Sequence, residues 1–160
     1  MSQQQRLNVN DVDPGAYQAI LAMERYVHAG TLDPALTALV RLRASQLNGC
    51  AFCLDMHAAE ARTAGVEQRR LDILSAWREA PSFFTERERA AFELTESMTR
   101  IGEAGVPDSL WDDVTRHFDK KETVRLLMAI CAINVWNRMA ISTHQALPEQ
   151  NESAKAQPST

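Results

Sequence analysis

Residues 45–57 read SQLNGCAFCLDMH and hold two of the three cysteines in the chain, with a histidine after them. The Asn48-Gly49 pair is typical of a turn that ends one helix, so a second helix is expected to begin at the cysteines. In that helix Cys50 and Cys53 have i,i+3 spacing, and Cys53 and His57 have i,i+4 spacing, which puts all three side chains on one face. The segment therefore predicts a helical dithiol with an imidazole beside it.

A thiol pair of this kind can be oxidised to a disulfide and reduced again, as dithiol redox chemistry requires. Free N–H groups and the positive dipole end at a helix start favour a thiolate, and Cys50 is best placed to gain from them. His57, one turn beyond Cys53, can accept a proton from it or pass one on. Because a thiolate attacks an oxidant and an adjacent thiol resolves the sulfenic acid, the pair indicates peroxide reduction or disulfide exchange.

Other uses of two cysteines and a histidine are less favoured. Structural zinc takes about four ligands, and the remaining histidines, His28, His117 and His144, are scattered singly. Haem attachment needs a histidine directly after the second cysteine, where Leu54 stands. A thioredoxin fold needs strands alternating with helices, and the sequence has no such pattern. Two buried structural thiols stay an open alternative, which the histidine on the same face disfavours.

Capping residues, prolines and glycines divide the rest of the chain into helices, with capping boxes at Thr85 and Asp119. The expected helices cover residues 14–29, 34–48, 50–64, 67–79, 85–101, 107–118 and 120–143. Few segments look like strands. The sequence predicts an all-α fold, a single-domain bundle of six or seven helices over residues 14–145, followed by a disordered polar tail at 148–160.

The last of these helices is unusually apolar, with a nearly continuous run at 126–133. A helix that is apolar all round is expected to be buried on all sides, in the domain centre or in a subunit interface. Cys131 lies in this run and is interpreted as a small hydrophobe without a redox role. Trp77, Trp111 and Trp136 are interpreted as core residues.

Composition narrows the class of protein. A chain of 160 residues suits one domain, and a formal net charge of -4 gives no reason to expect nucleic acid or an anionic membrane as partner. No apolar run approaches the length needed to span a bilayer, and the N-terminal residues 1–6 are polar and lead into no signal-peptide core. Three cysteines, two of them clustered, are not the disulfide framework of a secreted domain. These features predict a cytoplasmic protein.

Residues 42–53 followed by His57 resemble the core of the alkylhydroperoxidase D-like, carboxymuconolactone decarboxylase-like family. The similarity continues at residues 77–80, 85–90 and 133–138, and it covers most of residues 14–145. The resemblance implies an all-helical fold that assembles as trimers or hexamers. It also implies a thiol peroxidase activity that needs no metal, with a hydroperoxide as substrate and a dithiol or lipoyl-type group as reductant.

The resemblance also implies roles for individual residues. In the family the second cysteine becomes the sulfenic acid, which is Cys53 here. The first cysteine donates a proton and resolves the intermediate, which is Cys50, and the histidine of the proton relay is His57.

One position departs from the family pattern. Peroxidase members carry a glutamate twelve residues before the first cysteine, where this chain has Ala38, and residues 37–41 supply no carboxylate. We expect another acid on a facing helix, Glu93 or Glu96, or solvent, to replace it.

The sequence therefore predicts a thiol-dependent peroxidase. Two alternatives stay open: a carboxymuconolactone decarboxylase-type enzyme in which the cysteines are incidental, and a non-catalytic redox-sensing oligomer. Lactone decarboxylases of the family generally lack the cysteine pair, which argues against decarboxylation.

Overall fold

The computed structural model describes residues 4–148, and within that range it contains helices and no strands. The α-helices are α1 Val9–Val12, α2 Pro14–His28, α3 Pro34–Asn48, α4 Ala51–Thr63, α5 Gln68–Ile73, α6 Glu86–Thr99, α7 Asp108–His117 and α8 Lys120–Thr143. Two 3₁₀ helices, Leu74–Glu79 and Pro81–Phe83, lie between α5 and α6. The all-α prediction is confirmed, but residues 4–148 form eight α-helices where six or seven were expected, because the short α1 precedes the first predicted helix. Apart from Pro148, the predicted tail lies outside the described residues.

The helices begin where the capping signals predict. The Asp13 and Asp33 side chains accept hydrogen bonds from the first turns of α2 and α3, and proline follows each of them. The capping boxes at Thr85 and Asp119 are both formed, at the starts of α6 and α8. Gly49 ends α3 with φ of 71°, a left-handed conformation that glycine adopts without steric cost.

The predicted continuous helix at 67–79 is wrong. The α-helix ends at Ile73, and a 3₁₀ helix follows with a non-helical conformation at Ala76. Leu71, Leu74 and Trp77 are all buried, at 7%, 0% and 5% exposure. Their spacing of three residues matches a 3₁₀ repeat, in which positions i and i+3 lie on the same face. The tighter helix therefore buries Leu74 and Trp77 together.

Helix α3 lies at the centre and packs against α4, α6 and α8. Its Val40 belongs to a core cluster with residues of α6, α7 and α8, such as Leu94 and Ile130. On another side, Leu39 belongs to a second cluster with residues of α4, α5 and α6, such as Phe92. A smaller third cluster joins Cys50 and Cys53 to residues of α3 and α8. The fold therefore holds the two cysteines against α3 and α8.

Helix α8 is not buried on all sides, contrary to the sequence interpretation. Val124 is 49% exposed and Cys131 is exposed, while Ile130 and Ile133 are fully buried. By length and composition alone α8 could span a membrane, since an 18-residue stretch of it has a mean hydropathy of 1.4, contrary to the expectation that no apolar run approaches that length. It packs against α2, α3 and α6, as the core helix of a globular domain does. Apolar residues of α8 therefore lie both on the face that packs against other helices and on the face that is open.

Candidate redox site

Cys50 and Cys53 form a disulfide at the start of α4, with their Cα atoms 5.3 Å apart. Cys50 is the N-cap residue, and its sulfur accepts a hydrogen bond of 3.3 Å from the backbone N–H of Cys53. Each cysteine is 1% exposed. On reduction, the N-cap position and the positive end of the helix dipole would stabilise a thiolate on Cys50.

An amide network, half-buried at Asn48 and Asn134 and fully buried at Asn137, fixes the turn that leads into the disulfide. The Asn48 amide donates hydrogen bonds of 3.0 Å to Asn134 and 2.8 Å to Asn137, both on α8. Asn137 is fully buried and donates a 3.1 Å bond to the hydroxyl of Ser45. Because these bonds tie the end of α3 to α8, the Gly49 turn holds Cys50 in a defined position. Sequence reasoning missed this network, and no local pattern points to it.

His57 lies one turn beyond Cys53 on α4 and is 3% exposed. Its Nδ1 is 2.7 Å from Oε2 of Glu60. Its Nε2 is buried and has no hydrogen-bond partner among the residues that the structure describes. When Nδ1–H donates to the carboxylate, Nε2 carries the lone pair of the neutral ring. In that tautomer, Nε2 is the ring atom that can accept a proton from a thiol.

Glu60 belongs to a charge cluster centred on Arg41. The Arg41 side chain is 3% exposed, its Nη1 is 3.7 Å from Oε2 of Glu60, and its Nη2 binds the Glu24 carboxylate on α2. The hydrogen bond from His57, together with the charge of Arg41, lowers the pKa of Glu60 below its ordinary value of 4.5, although burial opposes the shift. Glu60 is therefore a carboxylate at neutral pH.

Neither Glu93 nor Glu96, the two residues expected to replace the family glutamate, supplies the carboxylate beside His57. Glu96 accepts hydrogen bonds from Arg43, Trp77 and Arg78. Glu93 lines a surface cleft between α6 and α7. The carboxylate beside His57 comes instead from Glu60, on the same helix. Its signal was the i,i+3 spacing from His57, which sequence reasoning did not use because it sought the acid on a facing helix.

The redox site opens into a pocket of about 540 Å³ between α2, α4 and α8, here called the redox pocket. Cys53, His57 and Glu60 line it, whereas Cys50 does not. The remaining walls are mainly apolar and aromatic, with charged groups among them. They comprise Tyr17, Leu21, Phe52, Met56, Trp136 and Ala140, with Glu24, Arg25, His28, Arg41 and Gln145. The site therefore presents one sulfur, that of Cys53, to an incoming molecule.

Two of the three tryptophans, Trp111 and Trp136, are not the core residues that the sequence predicted. Trp77 is buried as predicted, but Trp111 is 41% exposed on α7. Trp136 is a half-buried wall of the redox pocket, where its Nε1 donates a 3.1 Å hydrogen bond to Glu24.

Within residues 4–148, no group of three or more histidine, cysteine, aspartate or glutamate side chains is placed to hold a metal ion.

The profile of the Carboxymuconolactone decarboxylase family matches residues 14–97, which is just over half of the chain and includes Cys50, Cys53, His57 and Glu60. The chain belongs to this family. The family resemblance given above is thereby confirmed, and so is the all-helical fold that it implied.

Two similar proteins align with nearly the whole length of this chain. The uncharacterised protein YdfG of Bacillus subtilis (strain 168) is 38% identical over 138 residues, which are 86% of this chain and 93% of YdfG. A solved structure from Agrobacterium tumefaciens, ATU0492, is 39% identical with a TM-score of 0.87, covering 92% of this chain and 100% of that one. ATU0492 is a protein of unknown function, suggested to be the antioxidant defence protein AhpD.

A more distant structure shows the same fold. An uncharacterised peroxidase-related protein from Silicibacter sp. TM1040 has a TM-score of 0.71 at 22% identity, covering 81% of this chain and 68% of that protein. At this identity the similarity concerns the fold alone.

Proposed function

We propose that the protein is a thiol-dependent peroxidase that reduces hydroperoxides through a Cys50/Cys53 dithiol–disulfide cycle assisted by His57. One observation carries this proposal: the disulfide places one sulfur, Cys53, in a pocket that His57 also lines, and the other sulfur behind it. The role suggested for ATU0492 in antioxidant defence, at 39% identity, agrees with this chemistry.

In the first step, the Cys53 thiol gives its proton to Nε2 of His57, and the resulting thiolate attacks a peroxide oxygen. The O–O bond breaks, Cys53 becomes a sulfenic acid, and the leaving alkoxide or hydroxide takes the proton from His57. The peroxide is thereby reduced by two electrons to an alcohol or water. The free Nε2 and its i,i+4 position from Cys53 suit this transfer.

In the second step, Cys50 attacks the sulfur of the Cys53 sulfenic acid. The S–O bond breaks, the disulfide forms, and the hydroxide leaves as water with the proton of the Cys50 thiol. The 5.3 Å separation of the two Cα atoms lies within the usual range for disulfides, so closure needs no unfolding of α4. A dithiol then supplies two electrons and two protons that reopen the bond.

Glu60 orients the imidazole throughout the cycle. Its carboxylate, 2.7 Å from Nδ1, stabilises the imidazolium that forms when Nε2 takes a proton. Arg41 in turn holds Glu60, so that the carboxylate at the site does not depend on the missing glutamate at position 38. Glu60 thus takes the place that the family pattern gives to another residue.

The proposal extends to the partners of the cycle. A slender dithiol or lipoyl-type arm suits the reductant, because Cys53 is 1% exposed and must be reached through the redox pocket. Assembly into trimers or hexamers is part of the proposal, and a face of α8 with the exposed Val124 and the half-buried Met128 and Val135 is an apolar surface that a second copy could cover. A cytoplasmic location suits an enzyme whose thiols must be regenerated by reduction.

Steady-state consumption of hydrogen peroxide, with dithiothreitol as reductant, tests the function. The Cys53→Ser variant should lose peroxide consumption, whereas Cys131→Ser, which removes an exposed thiol remote from the pocket, should retain it. Unchanged turnover in Cys53→Ser would refute the peroxidase assignment. Activity on a carboxylated lactone after both thiols are alkylated would favour a decarboxylase. If the mass of the oligomer in solution changes when reductant is added, and no peroxide is consumed, a redox-sensing oligomer would be favoured.

A further inference from the structure

The redox pocket is much larger than hydrogen peroxide requires. Its volume of about 540 Å³ lies in the range of pockets that enclose organic ligands. Leu21, Phe52, Met56 and Trp136 give it an apolar and aromatic wall. Because Cys53 is 1% exposed, it lies at the base of the pocket. A substrate that fills this space has an apolar body, with its hydroperoxide group directed inwards.

The charges of the pocket are paired, with one exception. Arg41 is bound between Glu24 and Glu60, and His28 lies 3.7 Å from Glu24. Arg25, by contrast, has neither an ion pair nor a side-chain hydrogen bond to any residue of the range 4–148. Its side chain is exposed, so it lies at the mouth of the pocket. One guanidinium is therefore available to a ligand.

The position of Arg25 relates its charge to the apolar wall. Arg25 and Leu21 have i,i+4 spacing on α2, so they are neighbours on one face of that helix, and both line the pocket. A ligand whose apolar part packs on Leu21 therefore brings its outer end to the guanidinium. A carboxylate matches this group in shape and charge.

We propose that the redox pocket selects organic hydroperoxides that carry one carboxylate on an apolar body, and that Arg25 binds this carboxylate at the mouth. This inference rests on the proposed peroxidase function. The two negative charges of Glu24 and Glu60 equal the two positive charges of Arg25 and Arg41, so the formal charges of these four side chains sum to zero. A bound monoanion therefore adds a single uncompensated negative charge. A dianion such as a phosphate monoester adds two, which disfavours it.

The kinetic test compares linoleic acid hydroperoxide, its methyl ester and hydrogen peroxide, below the critical micelle concentration and with dithiothreitol as reductant. In the native protein the acid should have a lower KM than the ester. Arg25→Gln should raise the KM for the acid about three- to fivefold, as expected for a partly exposed ion pair. The KM for the ester and the rate with hydrogen peroxide, neither of which offers a carboxylate, should change less than the KM for the acid. Arg25→Lys should recover part of the loss.

Arg62→Gln is the matched control, because Arg62 is exposed on α4 and does not line the redox pocket. It should leave all three substrates unaffected. Equal KM values for acid and ester, or an Arg25→Gln effect that is the same for both, would overturn the proposal.

A binding measurement separates this proposal from the peroxidase function. Calorimetric titration with decanoate and methyl decanoate needs no turnover, and Arg25→Gln should weaken decanoate binding alone. Equal binding of decanoate to the native and variant proteins, or no binding to either, would refute carboxylate recognition even if peroxide is consumed. Failure of Cys53-dependent peroxide consumption, with decanoate binding intact, would refute the peroxidase function instead.

Discussion

Replacing Glu60 with glutamine should slow the oxidation of Cys53 without removing it. The amide has the same shape as the carboxylate and can still accept a hydrogen bond from Nδ1 of His57, 2.7 Å away in the native protein. What the variant loses is the negative charge that stabilises the imidazolium when Nε2 takes the thiol proton. The change therefore tests the electrostatic role of Glu60 apart from its packing.

The size of the effect follows from distance and exposure. Two unit charges about 4 Å apart interact by about 4 kcal/mol at an effective dielectric constant near 20. The Glu60 side chain is 42% exposed, so solvent screens much of this interaction. A remaining contribution of about 1.4 kcal/mol corresponds to a tenfold lower rate constant. We therefore expect Glu60→Gln to react with hydrogen peroxide about tenfold more slowly than the native protein.

The assay is a stopped-flow single turnover of the pre-reduced protein with excess hydrogen peroxide, followed by the loss of free thiol. Because the pKa of Glu60 lies below 4.5, the native carboxylate is charged throughout an assay at pH 7, and the comparison with Glu60→Gln measures the loss of that charge. Asp55→Asn is the matched control, since it removes one negative charge from α4 at an exposed residue outside the redox pocket. A Glu60→Gln rate equal to that of Asp55→Asn would refute the reasoning.

Three further predictions concern the stability of the fold and the part that Cys131 takes in turnover. Burial raises the pKa of Glu96, but hydrogen bonds from its three donors outweigh this and hold the pKa below 4.5. Glu96→Gln should therefore cost about 1.5–3 kcal/mol in urea unfolding at pH 7, and the deficit should shrink as the pH falls below 4.5 and through the lowered pKa of the native carboxylate. A deficit that is independent of pH would contradict this assignment. Asn137→Ala should cost about 2 kcal/mol in the same measurement, because it removes two hydrogen bonds, those with the Asn48 amide and the Ser45 hydroxyl, at a fully buried position. A loss under about 0.5 kcal/mol, the usual range for surface substitutions, would argue against the network. Alkylation of the exposed Cys131 in the disulfide form should leave peroxide turnover unchanged after reduction, and a parallel loss of activity would place this thiol in the cycle.

The elements that sequence reasoning predicted well depend on local signals. Asp13 and Asp33 cap their helices through residues three positions away, and Gly49 ends α3 because its own conformation is left-handed. The relation of Cys50, Cys53 and His57 is likewise contained within one helix turn or two. Patterns of this range are visible in the sequence because the backbone geometry of a helix alone determines which residues meet.

The features that sequence reasoning missed depend on which helices pack together. Trp136 became a pocket wall and Cys131 an exposed residue because α8 presents only part of its circumference to the other helices. Glu96 was expected near His57, but Arg43 on α3 and Arg78 hold it elsewhere. No periodicity in the sequence encodes these choices. Glu60 differs, because its spacing from His57 was local and could have been recognised.

The central claim is that Cys53 is the sulfur that attacks the peroxide. The direct test treats reduced Cys50→Ser, which cannot close the disulfide, with one equivalent of hydrogen peroxide in the presence of dimedone, and maps the adduct by mass spectrometry. We predict a dimedone adduct on Cys53, formed faster than the corresponding reaction of free cysteine, and no adduct on Cys50 in the Cys53→Ser variant. An adduct on Cys50 that forms equally fast, or a Cys53 thiol that reacts no faster than free cysteine, would contradict the account.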